Sequence, residues 1–129
     1  MAIKKFKNGD KLSLESINNN YSTTEQILGS CINGKPLYRV VLQLNGDYQA
    51  GTNQIDTGLS GCDQLIHAYG MFRRGTGGVF NIIPNNYTNW ETYIYDFNGI
   101  SSFKLRFDEN QVTAGIHNVI IILEYTKNN

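Results

Sequence analysis

Two Asn-Gly dipeptides, each set between runs of β-forming residues, constrain this chain more than any other feature. Asn33-Gly34 separates residues 26–32 from 37–44, and Asn98-Gly99 separates residues 91–97 from 101–107. A two-residue type I′ turn needs φ > 0 at both central positions, and Asn and Gly adopt that conformation at the least steric cost. Each dipeptide therefore predicts a tight β-hairpin. Pro36 lies just inside the second strand. It has no N–H to give to a ladder, so it predicts a strand start or an edge position.

The remaining segments also read as β. Residues 101–107 alternate most cleanly, with Phe103, Leu105 and Phe107 inward and Lys104 and Arg106 outward. Residues 91–97 place Tyr93, Tyr95 and Phe97 on one face and Thr92, Ile94 and Asp96 on the other. Residues 65–72 place Leu65, His67, Tyr69 and Met71 opposite Ile66, Ala68, Gly70 and Phe72. Both of those faces are partly apolar, as inside a sandwich or at a subunit interface. Residues 79–83 return after the loop Gly75-Thr76-Gly77-Gly78, and Pro84 stops them. The continuous apolar run 119–123, within a closing strand 119–126, predicts a strand covered on both faces, at the centre of the core or against neighbours in an oligomer. Residues 48–50 are expected to extend the sheet. Residues 51–63, 85–89 and 115–118 are expected as loops, 108–110 as a turn and 111–114 as a short strand. No stretch sustains a helical period, and residues 22–26 allow a single turn at most. The expected fold is all-β: an antiparallel β-sandwich, jelly-roll-like, of eight or nine short strands.

At 129 residues the chain is expected to be one domain. Eleven basic and eleven acidic residues balance to zero formal charge. That disfavours binding nucleic acid by bulk charge, and it removes charge repulsion as a barrier to self-association. Lys104 and Arg106 alternate with the rings of Phe103 and Phe107, which puts charges and rings on opposite faces. A single-strand nucleic-acid groove needs them side by side. The two cysteines, Cys31 and Cys62, are too few for a disulfide framework and are expected as free thiols, with a single bridge as the alternative. Residues 1–12 lack a secretory h-region, and the run 119–123 is far too short to span a bilayer. No membrane insertion is expected.

Residues 1–20 differ in composition from the rest. Lys4, Lys5, Phe6 and Lys7 form a basic cluster there, and Asn18-Asn19-Asn20 follows. We read residues 1–20 as an arm for docking or attachment and 21–129 as the β-sandwich domain.

Catalytic and metal-binding signatures are not evident. His67 and His117 lack partners at ligand spacing, no serine sits in a nucleophile elbow, and Asp96 and Asp108 flank turns. No cofactor, metal or enzymatic activity is expected. Binding, if present, belongs on the loops. Arg73 and Arg74 beside the Gly-rich loop suit carboxylates or phosphates of a cell-wall polymer. Tyr87, Asn89 and Trp90, within Asn85-Asn86-Tyr87-Thr88-Asn89-Trp90, combine amides with aromatic rings, the composition of a glycan patch. Trp90 as a core residue is the competing reading.

One set of residues carries a resemblance. Tyr21-Ser22-Thr23, Glu25-Gln26 and Asn33-Gly34-Lys35-Pro36-Leu37-Tyr38, with the closing Glu124-Tyr125-Thr126-Lys127, resemble a pattern shared by terminal domains of bacteriophage tail-fibre, baseplate and head-fibre proteins. Those domains often carry Trp before the hairpin turn, where this chain has Cys31. The resemblance covers roughly residues 21–127. It implies a non-enzymatic virion structural protein, made in the bacterial host cytoplasm. Such a protein is a homotrimeric fibre, knob or decoration module exposed on the particle. Its partners would be other virion proteins and a cell-surface polysaccharide. Two alternatives remain: a capsid-decoration or assembly protein with no receptor of its own, and a stand-alone β-sandwich lectin.

Overall fold

The computed structural model describes residues 21–128 except Asn45 and Tyr87. The basic arm, with Lys4, Lys5, Phe6 and Lys7, lies outside the described residues. Eight strands and one short helix follow in order: β1 (Gln26–Ser30), β2 (Pro36–Leu44), β3 (Gly51–Asp56), β4 (Cys62–Arg74), β5 (Val79–Ile83), β6 (Thr92–Asn98), β7 (Ser102–Phe107), α1 (Glu109–Ala114) and β8 (Ile116–Lys127). They form a five-stranded sheet, β1-β2-β8-β4-β5, and a three-stranded sheet, β3-β7-β6. Every strand pair is antiparallel. The chain passes repeatedly from one sheet to the other, which gives the expected all-β, jelly-roll-like sandwich. Pro36 begins β2, where its missing N–H costs nothing.

The core lies between the sheets. β8 sits at the centre of the larger sheet and sends Val119, Ile121, Leu123 and Tyr125 inward, all at most 1% exposed. Phe103, Leu105 and Phe107 meet them from β7 and are equally buried, as their alternation predicted. Burying a side chain of this size stabilises the fold by roughly 1.5–3 kcal/mol. Phe72 packs edge-on against Phe107 at 5.3 Å. Gly70 is required on β4, because a Cβ there would lie 2.1 Å from the Ile120 carbonyl oxygen.

Both hairpin turns form at the expected places but not as type I′. At the first, Gly34 N–H donates to Cys31 O and Cys31 N–H donates to Lys35 O, each at 2.8 Å. The loop is therefore three residues long, Ile32-Asn33-Gly34. Positive φ falls on Gly34 (81°) and not on Asn33. Asn33 instead accepts the Lys35 N–H through its side chain at 2.9 Å, an Asx-type bond that competes with the left-handed conformation. At the second, Asn98 O accepts the Ser101 N–H at 3.2 Å, so Gly99 (φ 57°) and Ile100 take the central positions.

Other expectations are corrected. Residues 51–56 are strand β3, not loop, and pair with β7. Ile55 is the one strongly apolar inward residue there. Asn53 replaces apolar packing by donating to Gln49 O (2.9 Å) and Leu105 O (3.3 Å). Tyr48 lies outside any strand, yet its ring packs on Phe107 at 5.1 Å. On β4 the register shifts between Leu65 and His67. The bulge at Ile66 brings Leu65 onto the core side with Ala68 and Phe72, against the simple alternation. On β6 Asp96 adopts φ 55° at a second register shift, which turns Phe97 to the core, away from Tyr93 and Tyr95. Residues 109–114 are helix α1, not strand. Acidic Asp108 and Glu109 open it, and Gly115 (φ 101°) closes it by donating to Gln111 O and Val112 O, each at 3.1 Å. His117 belongs to β8 rather than to a loop.

Candidate functional site

Three places on the sandwich carry chemistry, and they differ in how much of their polar capacity the fold itself uses. The first is where the segments 21–26, 33–38 and 124–127 converge. Tyr38 and Tyr125 face each other across the β2–β8 ladder, their rings 6.1 Å apart and nearly parallel. The Tyr125 hydroxyl donates to the Glu25 carboxylate, and Lys127 Nζ lies 2.8 Å from both oxygens of that carboxylate. Lys127 also lies over the Tyr38 ring at 5.1 Å. Burial pushes the Glu25 carboxyl up, but the hydrogen bonds from Lys127 and Tyr125 outweigh it and hold it below the ordinary carboxylate value. Lys35 pairs with Asp63 at 2.8 Å, and Asp63 accepts from Thr126 Oγ1 at 3.3 Å. Every charged side chain in this cluster is engaged.

The second place is a cleft at the far end of the large sheet. Arg74 closes β4, and its guanidinium stacks on the Trp90 ring at 4.2 Å. Arg74, Asn81, Asn85 and Trp90 line an open cleft of about 400 Å³. Trp90 is half-buried and stands outside the core cluster, so it is not a core residue. Its backbone is fixed from behind: Trp90 O accepts from Gln111 Nε2 at 2.7 Å and from Asn85 Nδ2 at 3.4 Å. Gln111 is fully buried. The Nδ2 of Asn81 is buried with no hydrogen-bond partner among the described residues.

Of the residues expected to bind, the fold unites Arg74 and Trp90. Strand alternation sends Arg73 to the opposite face, where it pairs with Phe80 and His117. Asn89, exposed at φ 67°, gives its carbonyl to Asn110 Nδ2 at 2.8 Å. Tyr87 lies outside the described residues. Asn85, from the amide-rich stretch 85–90, joins the cleft, and Asn81 joins it without having been anticipated. Charge pairing singles out the arginines. Lys35, Arg39, Lys104, Arg106 and Lys127 each lie within ion-pair distance of a carboxylate. Among the described residues, Arg73 and Arg74 are the cations that do not.

The third place is the outer face of the five-stranded sheet. One half of it is polar, with Arg39 bonded to Glu124 at 3.0 Å and Tyr21 stacked on Arg39 at 4.7 Å. Burial, the Tyr21 hydrogen bond and the Glu124 charge push Tyr69 there up to about 12. The other half is apolar. Met71 is 45% exposed, and Phe80 and Ile82 are 68% exposed, beside Ile120. The apolar run of β8 is itself buried on both faces except at half-buried Ile120, since outward-facing Ile122 is only 8% exposed; the exposed patch belongs to β4 and β5. Cys31 and Cys62 are free and half-buried, and burial pushes the Cys62 thiol up. Asp96 and Asp108 each pair with a cation, Lys104 and Arg106 respectively. No group of three metal-ligating side chains forms among the described residues, and no described helix is long and apolar enough to cross a membrane.

No family model, no curated protein and no solved structure matches this chain.

Proposed function

We propose that this chain is a non-enzymatic structural module of a bacteriophage virion, a fibre, knob or decoration part that is exposed on the particle and assembles as a homotrimer. The observation that supports this reading most is the convergence of the three resembling segments. The first two are joined by the β1–β2 hairpin and the third is about a hundred residues from Glu25, yet Glu25, Tyr38, Tyr125 and Lys127 meet in one cluster of hydrogen bonds and ring contacts. A pattern whose members touch each other has a structural reason to recur as a unit. The cluster spends its polar groups on the fold, which also gives weight to a second reading, a purely architectural decoration protein with no receptor.

Self-association has its own support. Phe80, Ile82 and Met71 expose an apolar patch on a regular sheet face, on the order of a few hundred Å². A second copy covers such a patch at little desolvation cost. Light scattering at micromolar concentration should return the mass of a trimer. The double variant Phe80→Ser, Ile82→Ser should return a monomer with an unchanged far-UV circular-dichroism spectrum and a melting temperature that no longer rises with protein concentration. A strict monomer for the wild type would refute the oligomeric part of the reading. Co-sedimentation with gradient-purified particles tests the virion part, and a chain absent from particles would contradict it.

A further inference from the structure

We propose that the Arg74–Trp90 cleft is a binding site for an acidic saccharide, one that bears a carboxylate or phosphate beside free hydroxyls. The source of that ligand, a host-surface polymer, rests on the virion reading above; the chemistry rests on the cleft. Three observations converge. Arg74 is a cation with no carboxylate within ion-pair distance among the described residues, while Lys35, Arg39 and Lys127 at the opposite end are paired. An uncompensated guanidinium at the wall of a cleft attracts an anion, and its planar fork matches carboxylate or phosphate oxygens two at a time. The amide side chains of Asn81 and Asn85 line the same cleft. Amides exchange hydrogen bonds with sugar hydroxyls, which a bare anion lacks.

The third observation is pre-organisation. Trp90 holds the guanidinium by stacking at 4.2 Å, and its own backbone is held from the buried Gln111 at 2.7 Å. The fork therefore loses little rotamer freedom on binding, which is where long charged side chains usually forfeit affinity. Trp90 acts as a positioning residue for Arg74. The cleft, about 400 Å³, suits one or two sugar units of a longer polymer. Neutral sugars leave Arg74 unpaired, so the site discriminates by charge.

The test is calorimetric titration of the full chain with four probes: a hexuronic acid oligomer, a glycerol-phosphate oligomer bearing sugars, a neutral hexose oligomer and inorganic phosphate alone. The expected result is binding to one or both acidic oligomers, weakened by added salt, with the neutral oligomer inert. Which acidic oligomer binds identifies the anion. Arg74→Gln should weaken binding by about tenfold or more, as expected for losing a charge-assisted pair. Asn81→Leu should weaken it less. Lys104→Gln, which removes a paired cation elsewhere, should leave it unchanged. Binding by neither acidic oligomer, full binding by Arg74→Gln, or equal affinity for inorganic phosphate alone would each overturn the proposal. Particle co-sedimentation separates the two readings. A chain that sediments with particles but ignores acidic sugars loses only the cleft proposal, and one that binds them but never joins a particle loses only the virion reading.

Discussion

The two ends of the five-stranded sheet treat their charges in opposite ways. At the end where β2, β8 and β4 meet, Glu25, Lys35, Asp63 and Lys127 are all paired, and the hydroxyls of Tyr125 and Thr126 donate into the same network. At the other end Arg74 has an aromatic platform and, among the described residues, no carboxylate within ion-pair distance. The first end spends its charges in closing the fold. The second leaves a guanidinium at the wall of a cleft. The contrast separates two roles: paired charges that close the fold at one end, and a cation left at a cleft wall at the other. The resembling segments sit where the chain is stapled, and the cleft is built from residues outside them.

The largest effect should come from the stapled end. Tyr125 is fully buried, stacked on Tyr38 and bonded to Glu25. Tyr125→Ala should destabilise by roughly 3–5 kcal/mol, as large-to-small changes at buried aromatics do. A chemical-denaturation midpoint close to the wild type would break the comparison at its strong side.

A smaller effect sharpens it. The Glu25 carboxyl is held below its ordinary value by Lys127 and Tyr125 after burial is overcome. A depressed folded-state pKa contributes stability above the unfolded pKa, and that contribution is lost as pH falls through the folded value. Stability should therefore decline on acidification below about pH 4.5, where the unfolded carboxyl begins to take up its proton. Glu25→Gln should lower stability by about 1 kcal/mol at pH 7 and flatten that part of the acid limb. An acid limb identical in both proteins would remove Glu25 from the staple.

Much of this layout was legible in the sequence, and the failures have physical reasons. Phe103, Leu105 and Phe107 declared their face because β7 pairs with β3 without a register shift, and the irregularity toward β6 inserts its extra residue on β6. The Asn-Gly dipeptides placed both reversals, yet the Asn33 side chain captured the Lys35 N–H and moved the positive φ onto Gly34 alone. Bulges at Ile66 and Asp96 leave no trace in an alternation count, so the faces of Leu65 and Phe97 were inverted. Strand β3 was hidden because Asn53 anchors it with hydrogen bonds where apolar side chains usually serve. At the cleft, the sequence pointed to Arg74 and Trp90 through residue type. Asn81 escaped notice, although a lone amide inside the apolar run Val79-Phe80-Asn81-Ile82-Ile83 was the available signal. Adjacent in sequence, Arg73 and Arg74 were expected to act together, and the pleat separates them.

Urea unfolding of the wild type, Glu25→Gln and Arg74→Gln, side by side at pH 7, tests the division between the two ends most directly. The account predicts a lowered midpoint for Glu25→Gln and a change within about 0.5 kcal/mol for Arg74→Gln, because no carboxylate among the described residues lies within ion-pair distance of that guanidinium. A midpoint that falls further for Arg74→Gln than for Glu25→Gln would contradict it.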